Sequence, residues 1–119
     1  MDEIKDFMSS PVKSVTSDKS VEEVAKLMAD MSISSIFIEE DGDCVGIVTS
    51  TDLVKRALAK GVDPKATLIS SVMSKPLIKM DHYLTRQEAN EKMHISKIKH
   101  LAVTKEGKVI GIVTRRDMI

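Results

Sequence analysis

Two short strings carry the side chains in this chain that are best suited to chemistry. Gly46-Ile47-Val48-Thr49-Ser50-Thr51-Asp52 returns as Gly111-Ile112-Val113-Thr114-Arg115-Arg116-Asp117, at an offset of 65 residues from Gly46 to Gly111. Each string sets a hydroxyl three residues before a carboxylate, directly after an apolar run that reads as a buried strand. A helix is expected to begin about three residues after each Thr. Free backbone N–H groups and the positive end of the helix dipole gather at such a place, and both favour phosphate. Thr49 and Thr114 add hydroxyls that can donate to a phosphate or ribose oxygen. Asp52 and Asp117 can each accept from the two neighbouring hydroxyls of a ribose diol. The same Asp also suits a plainer role, that of a first-turn acid complementing the dipole. Gly46 and Gly111 leave room for close packing or for a ligand.

The strings differ in charge. Arg115 and Arg116 stand where the first string has Ser50 and Thr51. Arginine can clamp a phosphate through two parallel bonds, which a hydroxyl cannot do. Lys97, Lys99 and His100 lie on the same basic half.

The elements that must position these groups also repeat. The same offset aligns Met8 with Met73, Pro11 with Pro76, Met28 with Met93, Ile33 with Ile98 and Gly42 with Gly107. In the first repeat, Ile4, Phe7 and Met8 open at helical spacing, and Val12 and Val15 follow in an extended stretch. Ser20 and Glu23 form a capping-box pattern. Val21, Val24, Ala25, Met28 and Met31 then give the stripe of a half-buried helix. Ile36–Ile38 and Val45–Val48 read as strands joined at the Asp41-Gly42 turn. Leu53, Val54, Ala57 and Leu58 line a second helix that Gly61 is placed to end. The second repeat follows this order, with Thr85 and Glu88 as its capping pair, Leu101–Val103 and Val109–Val113 as strands, and Gly107 at the turn. Its first helix is poorer, because Arg86, Asn90 and Lys92 replace Val21, Ala25 and Leu27. The sequence stops at Ile119, before a counterpart of Leu53–Lys60, so the closing helix of this repeat is expected to be truncated, or its edge covered by a partner chain. Each repeat is thus β-α-β-β-α, and continuous apolar strands argue for sheets covered by helices. The expected fold class is α/β, of the α+β kind.

Composition narrows the function. The 119 residues suit one compact domain, and a half of that length would be marginal alone. Net charge is zero, yet residues 1–60 carry seven Lys and Arg against twelve Asp and Glu, while 61–119 carry eleven against six. This asymmetry points to association or to an anionic ligand on the basic half. No apolar run approaches the roughly 20 residues of a membrane span. The acidic start Met1-Asp2-Glu3 does not resemble a signal peptide. A single cysteine, Cys44, read as a small buried residue of a strand, suits a reducing cytoplasm. His82, His94 and His100 have no metal-site spacing and read as surface imidazoles. Three aromatic residues make a stacking platform for single-stranded nucleic acid improbable.

Pro11-Val12, the Val24-Ala25-Lys26-Leu27-Met28 helix, the Ile36-Phe37-Ile38 strand and Gly46-Ile47-Val48-Thr49-x-x-Asp52 together resemble a CBS motif. The second repeat resembles another. Over essentially the whole chain the two are similar to a CBS pair, or Bateman module, with motif 1 over 1–61 and motif 2 over 62–119 as one domain. The resemblance implies tandem β-α-β-β-α motifs packed with pseudo-twofold symmetry, and clefts between them that often take adenine nucleotides or S-adenosyl compounds. Carried onto this chain, one cleft would use Thr114, Arg116, Asp117 and Lys99, with Ile33, Ser34 and Val24 from the other repeat. The second would use Thr49, Thr51, Asp52 and Ser34, with Ile98, Lys99 and Ala89.

These observations lead to a non-catalytic regulatory module that binds AMP, ADP, ATP or S-adenosylmethionine, requires no cofactor or metal, and acts as a homodimer on a regulated protein. The charge asymmetry favours an antiparallel arrangement. Two other readings stand beside it: a structural dimerisation module with no ligand, and nucleic-acid binding through the basic second half.

Overall fold

A computed structural model describes residues 2–118. The chain divides into two compact units, one of residues 13–77 and one of residues 1–12 with 78–119. The division falls at 12/13 and 77/78, whereas the sequence repeat turns over at 61/62. Hydrogen bonding gives the reason. Ser9 exchanges backbone bonds with Ile112, and Ser74 exchanges them with Ile47. The segment that opens each repeat in sequence therefore completes the unit built around the other repeat's strands.

In the first unit, β1 (Ser14–Thr16) runs parallel to β2 (Ser35–Glu40), which pairs antiparallel with β3 (Asp43–Thr49). Between β1 and β2 lies α1 (Val21–Met31). Ser20 accepts from the Glu23 N–H while Glu23 accepts from the Ser20 N–H, the expected capping box. The bond from the Ser20 backbone, joined by its hydroxyl, holds the exposed Glu23 carboxyl below its ordinary pKa. The helix ends at Ser32 in the left-handed region, without the glycine that usually marks such an end. Asp41 and Gly42 both take positive φ, as a tight two-residue hairpin turn demands. Val21, Val24 and Met28 of α1 pack on Ile36, Ile38 and Val48, and Ile69, Val72 and Met73 join this cluster.

The second unit repeats the plan. β4 (Lys79–Asp81) is parallel to β5 (His100–Lys105), which is antiparallel to β6 (Lys108–Thr114), with α3 (Arg86–Ser96) between β4 and β5. Thr85 and Glu88 form the second expected capping box. Only Ala89 and Met93 of α3 are buried, in keeping with its poorer apolar stripe. Arg86, at the position of Val21, is used differently. Its guanidinium lies 4.9 Å from the centre of the Phe7 ring and donates to the Met118 carbonyl at 2.8 Å. It thereby ties α3 to the opening segment and to the turn after β6.

The second helix of the first repeat differs from expectation. A single turn, Ser50–Asp52 (α2), continues as a π-helix over Leu53–Leu58. Ala57 is buried and Leu53 partly so, but Val54 is 55% exposed and Leu58 78%. The wider π-helical winding leaves these two on an outer flank, so they do not line the core. Gly61 closes this helix as expected, at φ +67°.

The repeated glycines serve close packing. A Cβ on Gly46 would stand 2.8 Å from Met73 Sδ and 2.9 Å from the Ser74 carbonyl oxygen. The three atoms nearest a Cβ on Gly111 all belong to Met8, with Cγ at 2.8 Å and Cβ at 3.1 Å. Each glycine thus admits the methionine of the segment that completes its unit. Gly46→Ala should destabilise by about 1–3 kcal/mol, the usual range for overpacking. Gly111→Ala should cost at least as much, because the Met8 Cγ and Cβ it would meet stand next to the backbone and cannot swing aside. Urea denaturation of both variants checks the order.

Candidate functional site

In the first unit Thr49 itself is the helix N-cap, so the helix starts at once rather than three residues later. The Thr49 hydroxyl accepts from the Asp52 N–H at 3.2 Å, and Asp52 Oδ2 accepts from the Thr49 N–H at 2.9 Å. This is a third capping box, with Asp in place of Glu. The carboxylate has further partners. Ser74 Oγ lies 3.2 Å from Oδ1 and 3.3 Å from Oδ2. Arg56 Nε lies 3.6 Å from Oδ1, and its Nη1 donates to the Met73 carbonyl at 3.0 Å. Asp52 is 7% exposed. Its oxygens already face a backbone N–H, two hydroxyls and a guanidinium.

In the second unit the same spacing gives a looser arrangement. Asp117 Oδ2 accepts from the Thr114 N–H at 2.8 Å and lies 3.2 Å from the Thr114 hydroxyl. The residues after β6 form a 3-10 turn, Arg115–Met118. Asp117 is half-buried, and among the described residues its Oδ1 has no partner. Ser9, the counterpart of Ser74, keeps the same backbone bonds to Ile112 but is exposed, with its hydroxyl off the carboxylate.

The neighbours expected from sequence divide into two groups. The Ser34 carbonyl accepts from the Ser50 N–H at 2.9 Å, and the Lys99 carbonyl accepts from the Arg115 N–H at 3.1 Å. Each therefore sits against the motif turn of its own unit. Ile33 and Ile98, both half-buried, directly precede them. Val24 and Ala89 are 1% and 0% exposed inside their units' apolar clusters. Thr51 and Arg116 are exposed at the motif turns.

A pattern missed in the sequence emerges around these turns. Ser32, Ser34, Ser50 and Thr51 of the first unit correspond to Lys97, Lys99, Arg115 and Arg116 of the second. All eight are exposed. Four hydroxyls are exchanged for four cations, and among the described residues none of these cations is in an ion pair. The sequence had already supplied Arg115 and Arg116 against Ser50 and Thr51, and Lys97 and Lys99 on the same basic half, but not their exchange for Ser32 and Ser34. That exchange needed the pairing of 34 with 50 and of 99 with 115.

Other candidate chemistry is thin. Cys44 is half-buried in β3, and His82 packs edge-on against Tyr83 with Nδ1 3.3 Å from the Thr104 carbonyl, so His82 is less a free surface imidazole than expected. Among the described residues no group of three or more His, Cys, Asp or Glu is placed to hold a metal, and no helix is long and apolar enough to cross a membrane. A shallow depression lined by Asp2, Thr85, Arg86, Gln87 and Asn90 lies at the start of α3.

The CBS domain family model matches residues 4–59 and 69–119, both repeats in register. The chain belongs to the CBS domain family. A CBS domain-containing protein of Bacillus subtilis, YhcV, is 29% identical over 118 residues, covering 99% of this chain and 84% of that protein. An inosine-5'-monophosphate dehydrogenase of Korarchaeum cryptofilum is 33% identical over 113 residues, covering 94% of this chain but 22% of the enzyme. The crystal structure of an uncharacterized conserved protein from Pyrococcus horikoshii superposes with a TM-score of 0.91 at 29% identity, over 98% of this chain and 89% of that one. The two CBS motifs are thus tandem copies of one mixed α+β plan, a module that is in general regulatory and not catalytic.

Proposed function

We propose that this CBS pair is a non-catalytic sensor that binds an adenine nucleotide at the Thr114–Asp117 turn and passes its occupancy to a regulated protein in the cytoplasm. The supporting observation is that, among the described residues, this turn carries an Asp117 carboxylate oxygen without a partner beside two exposed arginines in no ion pair, Arg115 and Arg116, with Lys99 bonded to the turn through its carbonyl. A nucleotide carries the complementary groups, since its ribose diol can donate to a carboxylate and its phosphates attract arginine and lysine. S-adenosylmethionine carries the diol but no phosphate and fits this turn less well. Self-association belongs to the same proposal. Val54 and Leu58 stand exposed one turn apart on the flank of the π-helix, aliphatic surface of the kind a second copy covers.

Nucleic acid offers phosphate too. Zero net charge and few aromatics, however, give a polymer little else to hold.

Arg116→Ala should weaken ATP more than AMP, because the longer phosphate chain gains more from the guanidinium. Calorimetric titration of both nucleotides reads the ratio. An unchanged ratio would show that Arg116 does not select for phosphate. Light scattering of the same sample at micromolar concentration should give a dimer, and a monomer would remove self-association from the proposal.

A further inference from the structure

We infer that the first motif is latched shut by its own side chains, so that this chain takes one nucleotide, not two. The inference rests on the nucleotide-binding reading above and adds which motif is available and what closes the other. Arg56 and Ser74 are the latch. They approach the Asp52 carboxylate from different segments, Arg56 from the π-helix and Ser74 from the segment that completes this unit. Together they occupy the carboxylate that a ribose diol would need. The Ser74 hydroxyl, in reach of both carboxylate oxygens, stands in for the ribose diol. The Arg56 guanidinium, 3.6 Å from Oδ1, adds a weak ion pair to the same carboxylate.

A ligand at Asp52 must displace both, and displacing them costs more than their own bonds to the carboxylate. Arg56 also donates to the Met73 carbonyl, and Met73 lies against Gly46, so the latch is tied into the packing of β3. The second motif has no such closure among the described residues. Ser9 occupies the place of Ser74 yet leaves Asp117 alone, and the cations there stay unpaired. Two copies of one motif thus differ in what their carboxylates are doing: one carboxylate is bonded internally, and the other keeps an acceptor to offer.

The test is a calorimetric titration of ATP into the full chain, into Asp52→Ala, and into the double variant Arg56→Ala with Ser74→Ala. The wild type should bind one ATP per chain, and Asp52→Ala should keep that stoichiometry. The double variant should bind two, the new site being lost again when Asp52→Ala is added. If the double variant does not fold by circular dichroism, Ser74→Ala alone replaces it, and its backbone pairing with Ile47 is untouched. Two sites in the wild type, one of them removed by Asp52→Ala, would overturn the latch and leave the nucleotide reading standing. No binding by the wild type would instead overturn the nucleotide reading. The double variant then decides the latch by itself, since a site gained there supports it and no gain refutes it.

Discussion

Asp52→Ala is expected to lower the unfolding free energy by about 3 kcal/mol and to leave ATP affinity unchanged. Loss of a capping residue costs about 0.5–2 kcal/mol. Hydrogen bonds to a charged group contribute about 1.5–3 kcal/mol, and here they come from Thr49 and Ser74. The Arg56 pair adds little, because its side chain is 48% exposed and its closest approach is 3.6 Å. These parts share one carboxylate and do not simply add. For a chain of this length the loss corresponds to a melting temperature lower by roughly 10 °C. A variant that melts like the wild type but loses a nucleotide would show that Asp52 faces a ligand after all.

Asp117→Ala should show the opposite profile. Its carboxylate holds the Thr114 N–H and little else, so the stability cost should stay near 1 kcal/mol. Its free acceptor is the group proposed to meet the ribose diol. Removing charge-assisted bonds of about 1.5–3 kcal/mol should weaken ATP binding at least tenfold. One substitution in two copies of a single motif is thus expected to give a folding defect in one and a binding defect in the other.

Much of this fold is legible in the sequence, because its signals are local. Ser20 with Glu23 and Thr85 with Glu88 mark two helix starts. Asp41-Gly42 and Gly107 mark hairpin turns, and the apolar runs of β2 and β5 are buried as their composition demands. Helix ends were harder to see, since Ser32 and Lys97 take left-handed conformations that nothing in their residue type announces. The third capping box was within reach: Thr49 and Asp52 follow the pattern of Ser20 and Glu23 with a shorter acid. The plainer role of this Asp as a first-turn acid was already legible in the sequence, and the capping bonds are its concrete form.

What was not legible is long-range. Met8 over Gly111 and Met73 over Gly46 are separated by 103 and 27 positions along the chain. The repeats show that these residues recur together but not that they touch. The same holds for Ser74 and Arg56, neither of which carries a motif. Their meeting at Asp52 depends on the segment that crosses into this unit. The exposed flank of Val54 and Leu58 was missed for another reason, since helical spacing presumes 3.6 residues per turn and the π-helix is wider. Sequence periodicity thus located the candidate turns, while packing decided which of them is filled.

The most direct measurement for the sensing claim is calorimetric titration of ATP into wild type and Asp117→Ala, with both melting temperatures recorded. The account predicts ATP binding by the wild type, weakened tenfold or more in the variant, with melting temperatures within a few degrees. Equal ATP affinity in the two proteins would contradict it, and the Thr114–Asp117 turn would then not be the nucleotide site.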